Sequence, residues 1–143
     1  MELAVKSFTT PFLMKYSVKP QIQRLYYSLI WTRIYYFLVA KEFYSKVFDV
    51  KLIDNEMGPN KMSMFPFEPG VASGALVQGP DYKPSAEGAT VYLNGGEDLS
   101  VPLSRVEAAG GTVLVDKMSI GDYGFIAYFL DTEGNKVAIH SMS

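Results

Sequence analysis

The chain has no cysteine, one histidine and one tryptophan among its 143 residues. Without cysteine there is no disulfide framework, no thiolate metal ligand and no cysteine nucleophile. A single histidine excludes a two-histidine, one-carboxylate metal site built within one subunit. An excess of charge of either sign is also lacking. Thirteen basic against 15 acidic residues leave a net charge of −2, which argues against nucleic acid as the main partner. No apolar run reaches the roughly 20 residues of a membrane span. The longest, over residues 25–39, is interrupted by Arg33. There is no glycine-rich phosphate loop, no nucleophile elbow and no zinc-finger spacing. The absence of cysteine suits a cytoplasmic protein.

What is present is core material. Hydrophobic residues make up 48% and aromatic residues 14% of the chain, enough for one compact domain. The C-terminal end is the most legible part. Phe125 to Leu130 is an apolar, aromatic-rich run of strand length. Asp131-Thr132-Glu133-Gly134-Asn135 supplies turn chemistry, and Lys136 to His140 alternates polar and apolar residues. The pattern predicts a β-hairpin. Upstream, Leu99, Leu103 and Val106 lie at helical spacing, with Pro102 in the first turn and Gly110-Gly111 as the stop. They predict a helix from about residue 98 or 100 to Ala109. Short strands are expected over residues 89–93 and 112–115. A first half repeats this order, with a helix over Val39–Phe48 and strands over residues 49–54, 61–67 and 74–77. A Pro/Gly/Ser-bearing linker over residues 79–88 separates the halves.

These motifs, in this order, resemble the vicinal oxygen chelate superfamily, the glyoxalase, bleomycin-resistance and extradiol-dioxygenase group. The turn Asp131-Thr132-Glu133-Gly134-Asn135 resembles the family's closing turn. Leu103 to Gly111 looks like the second module's helix and its glycine stop, and Phe43 to Phe48 like the first module's helix. The likeness covers roughly residues 38–142. It implies an α+β fold of paired βαβββ modules, forming a curled mixed sheet around a cleft. The expected layout is an atypical N-terminal segment over 1–24, a first module over 25–78, the linker over 79–88 and a second module over 89–143, one domain overall.

The N-terminal part departs from the pattern. Residues 1–41 carry a net charge of +5 and residues 42–143 one of −7, and the change falls where the resemblance begins. Three readings stay open for residues 25–39. They are a buried strand feeding the first helix, a membrane-surface segment, or a stretch read out of the ancestral frame.

Strand alternation places the cleft residues. If Val91, Leu93, Val137 and Ile139 face the helix layer, then Thr90, Tyr92, Asn94, Lys136, Ala138 and His140 face the cleft. In metal-dependent relatives the resemblance implies a histidine near Thr90 and a glutamate at Ala138. Neither residue here can serve as such a ligand, so no metal and no cofactor are expected. The candidate substrate-binding residues are Thr90, Tyr92, Tyr128, Ala138, His140 and Met64, with His140 a weak candidate for general base chemistry.

Three functions compete. The first is a metal-free, glyoxalase-like protein binding a small organic molecule. The second is a metal-dependent lyase, isomerase or dioxygenase. The third is an antibiotic-sequestering resistance protein. A homodimer is expected, because a single pair of modules leaves sheet edges and apolar surface to cover. Light scattering that returned a clean monomer at micromolar concentration would count against it.

Overall fold

The computed structural model describes residues 20–70 and 73–143. The atypical segment 1–24 lies, as far as residue 19, outside the described residues. The chain divides into two units, 1–33 and 34–143. Of the first, only the helical backbone of residues 20–33 is described, so the packing that follows concerns the second.

Helix α1 runs from Pro20 to Phe48. The buried strand expected over residues 25–39 is therefore corrected: these residues are helical. A continuous apolar and aromatic run fits a strand or a helix equally well by pattern. No glycine or proline stands between residues 21 and 48, so nothing stops a helix from propagating through the run once formed. Proline at the first position suits a helix start. The end is where the sequence put it. Asp49 takes the left-handed conformation (φ 54°) and the Val50 N–H donates to the Ser45 carbonyl at 3.1 Å, the bond that closes a helix C-terminus. Ala40, Phe43, Tyr44 and Val47 form the buried face, the spacing of one helical stripe. Among the described residues no helix is long and apolar enough to cross a membrane.

Strands β1 (Ile53–Met57), β2 (Asn60–Met64) and β3 (Ala75–Gln78) form an antiparallel three-stranded sheet in chain order. β1 starts later than the expected 49–54, because Val50 and Leu52 are used in packing against the core before pairing begins. Lys41 of α1 reaches the Asp54 carboxylate of β1 at 2.6 Å. That ammonium, joined by the hydroxyl of buried Ser63, holds the Asp54 carboxyl below the usual carboxylate range.

The second half contains β4 (Val91–Asn94), α2 (Ser100–Leu103), β5 (Thr112–Ser119), β6 (Phe125–Leu130) and β7 (Lys136–Ser141). Its sheet has the order β4-β7-β6-β5, with β4 and β7 parallel and the other pairs antiparallel. This is a complete βαβββ module. The first half supplies a helix and three strands among the described residues. The hairpin β6–β7 lies where expected, with β7 one residue longer than read, ending at Ser141 rather than His140. The helix expected to reach Ala109 is regular only to Leu103. Beyond it, Arg105 and Val106 donate to the carbonyls three residues back, and the segment closes at Gly110-Gly111 with Gly111 N–H on the Val106 carbonyl. Asp98 starts this segment by accepting the Ser100 N–H at 2.8 Å. Lys117 of β5 also binds it at 2.8 Å and holds its carboxyl down at about 2.

One core joins the two halves. Phe43, Tyr44, Val47 and Leu52 pack with Leu99, Val106, Ala127, Phe129, Val137 and Ile139. The rings of Phe43 and Phe129 sit 5.8 Å apart. Polar bonds follow the same path. Asp131, read in the sequence as turn chemistry, is also buried and fully engaged. Its Oδ1 accepts the N–H groups of Glu133 and Asn135, both at 2.9 Å. Its Oδ2 accepts from the Tyr44 hydroxyl and the Asn135 side-chain amide, both at 2.8 Å. The Asn135 side-chain oxygen in turn accepts the Ser85 N–H of the linker at 2.9 Å. One carboxylate thus ties α1, the hairpin turn and, through Asn135, the linker. Burial, reinforced by Asp131, raises the Tyr44 phenol far above its ordinary range and keeps it neutral.

Candidate functional site

The four-stranded sheet turns Val137, Ile139, Ala127 and Phe129 to the core. The alternate side chains lie on the opposite face. Register sets them in two rows. Tyr92, Ala138 and Tyr128 stand side by side across β4, β7 and β6, and Asn94, His140 and Ile126 make the next row.

In the first row the two tyrosines close over the alanine. Their hydroxyl oxygens are 2.5 Å apart, and their rings meet edge to face at 6.0 Å. Ala138 beneath is fully buried. It has the predicted parity but is the floor under a tyrosine arch rather than an open cleft residue. The bond to Tyr92 raises the Tyr128 phenol above its ordinary value.

The second row lines a cleft of about 640 Å³, formed by Tyr92, Leu93, Asn94, Ile120, Ile126 and His140. One wall is the turn between β5 and β6. There the Ile120 N–H donates to the Gly124 carbonyl at 2.9 Å, around a single 3-10 turn over Gly121–Tyr123. His140 is tied to this wall. Its Nε2 lies 2.7 Å from the Tyr123 carbonyl. A carbonyl only accepts, so Nε2 carries the proton and Nδ1 is the acceptor in the neutral ring. The Asn94 side-chain oxygen accepts the Gly96 N–H at 2.9 Å, which turns its amide nitrogen into the available donor.

The sequence-predicted residues divide accordingly. Tyr92, Tyr128, Ala138 and His140 come together on one face. Thr90 precedes β4 and is half-buried. Met64 is not with them: it is half-buried on β2 of the other sheet, opposite Ile53 and Ala75. Val91, expected under the helix layer, is 62% exposed. It begins an edge strand, and the layer that covers Leu93 stops short of it. Ile120 and Ile126 escaped the sequence reading. Ile126 shares the parity of Tyr128 two residues on, a usable signal, whereas Ile120 sits in an irregular connection with none.

Among the described residues, the lining of this cleft offers few metal-binding groups. His140 is its one imidazole, with Nε2 engaged by a carbonyl, and among the described residues no carboxylate lines it. Among the described residues, no three histidine, aspartate or glutamate side chains converge to hold an ion.

No family model and no curated protein sequence matches the chain. Solved structures do. Glyoxalase I from Zea mays superposes with a TM-score of 0.58 at 20% identity, over 74% of this chain and 42% of the maize chain. A glyoxalase/bleomycin resistance protein/dioxygenase family enzyme from Burkholderia phytofirmans PsJN gives 0.54 at 14% identity, over 74% of this chain and 90% of that one. An antibiotic binding protein from Streptomyces sp. CB03234 gives 0.53 at 22% identity, over 73% and 84% of the two chains. The present chain spans about two-fifths of the maize glyoxalase I. The fold is that of the glyoxalase and bleomycin-resistance proteins, the vicinal oxygen chelate fold.

Proposed function

We propose that this protein binds a small organic molecule in the cleft of its four-stranded sheet, without a resident metal. The observation that carries this reading is the make-up of the cleft. An apolar floor and wall, Ile126 and Ile120, meet a few convergent polar groups from Tyr92, Asn94 and His140. Few, well-placed polar groups on an apolar bed are the usual composition of a small-molecule site. The fold shared with an antibiotic binding protein is compatible with a binding role, but function rests on the site and not on the fold.

The test is a thermal-shift screen of the whole chain against flat organic compounds, followed by the same measurement on Ile126→Lys. A ligand at a hundred times its Kd stabilises by about 2.7 kcal/mol. Hits that shift the unmodified protein should lose that shift in the variant. Shifts unchanged by Ile126→Lys would place binding elsewhere. Stoichiometric zinc, nickel or iron, lost on chelation together with ligand binding, would replace this reading by the metal-dependent one.

A further inference from the structure

We infer that the cleft selects a neutral, flat ligand with an amide- or lactam-type edge, an acceptor directly beside an N–H donor. The inference rests on the binding role proposed above and adds the chemistry of what is bound.

The argument begins with two committed hydrogen bonds. Asn94 spends its side-chain oxygen on the Gly96 N–H. What it offers the cleft is therefore a donor, the amide nitrogen. His140 spends its Nε2 proton on the Tyr123 carbonyl. What it offers is therefore an acceptor, Nδ1. In each side chain an internal bond removes the ambiguity that amides and imidazoles otherwise have.

Register then sets the spacing. Asn94 and His140 are direct partners across the parallel β4–β7 pair, so their side chains leave the same face of the sheet on neighbouring strands. Neighbouring strands are about 4.8 Å apart. A donor and an acceptor at that separation match the carbonyl and N–H of one planar amide, with the two hydrogen bonds converging on it. Ile126 continues the row and offers an apolar bed for the ring that carries the edge. Among the described residues no carboxylate, ammonium or guanidinium lines the cleft, so a charged ligand would lose hydration without a partner. Neutral and planar follow from the lining, and the acceptor–donor order follows from the two internal bonds.

Calorimetric titration of the whole chain with 2-quinolinone and with N-methyl-2-quinolinone tests this. The two compounds share ring and carbonyl, and the second lacks the N–H. The expected result is that 2-quinolinone binds about tenfold more tightly, as the loss of one hydrogen bond to the half-buried His140 predicts. Asn94→Leu should weaken both compounds. Equal affinity of the two for the unmodified protein would overturn the acceptor–donor inference and leave the binding role standing. Failure of both to bind, with hits of other chemistry in the screen that depend on Ile126, would also overturn it. Failure of every flat compound would overturn the binding role itself.

Discussion

Replacing Asp131 by alanine should lower the unfolding free energy by about 3 kcal/mol or more, as hydrogen bonds to a buried charged group are worth about 1.5–3 kcal/mol each. The carboxylate accepts four of them, from Tyr44, two backbone N–H groups and the Asn135 amide. Truncation leaves the Tyr44 hydroxyl and the turn's N–H groups without their acceptor in a site that water reaches poorly. Asp131→Asn should also destabilise, because an amide nitrogen in place of Oδ2 would face two donors. Tyr44→Phe removes one bond of the four and should cost about 1–2 kcal/mol. Urea denaturation followed by circular dichroism orders the three. An Asp131→Ala loss no larger than that of Tyr44→Phe would show that the turn holds without its hub.

Gly124→Ala should have an effect of similar size for a different reason. Gly124 has φ 91° and ψ −134°, a region that L-residues occupy only at a cost of about 1–3 kcal/mol. A Cβ there would also overlap the Ser141 carbonyl oxygen and lie 2.9 Å from the Met142 Cα. Both are backbone atoms and cannot rotate away. Gly134 is the internal control. Its φ is 87°, but nothing lies within 4 Å of a Cβ built on it. Gly134→Ala should therefore cost only its conformational strain, about 1 kcal/mol. The expected total for Gly124→Ala is about 3 kcal/mol. Its displacement should also move the adjacent Tyr123 carbonyl and release the His140 ring, weakening ligand binding in the folded fraction. Thermal melts of the two alanine variants that coincide would refute the steric part of this account.

The legible and illegible parts of the sequence differ in physical kind. The hairpin Phe125–Ser141 could be read because its periodicity and turn residues act locally and agree. The parity of Val137, Ile139, Tyr92 and His140 could be read because a strand allows only two faces. The strand expected over residues 25–39 could not be told from a helix, since an unbroken apolar run carries no period of its own. The burial of Ala138 depends on Tyr92 and Tyr128 meeting across it, a contact between strands far apart in sequence. The engagement of Asp131 by Tyr44 is hidden for the same reason, as they stand 87 positions apart in the chain. Ile120 lies in an irregular turn, where sequence gives neither face nor direction.

The shared core changes what the linker over 79–88 means. It looks like a seam between two copies of one design. Yet the sheet of the second copy is roofed by Phe43 and Val47 from the first, and the turn of the second is held by Tyr44 from the first. A seam in the text is not a seam in the solid. Neither half owns an interior, and an exchange of one half for a relative's would have to carry the matching α1 face and its tyrosine with it.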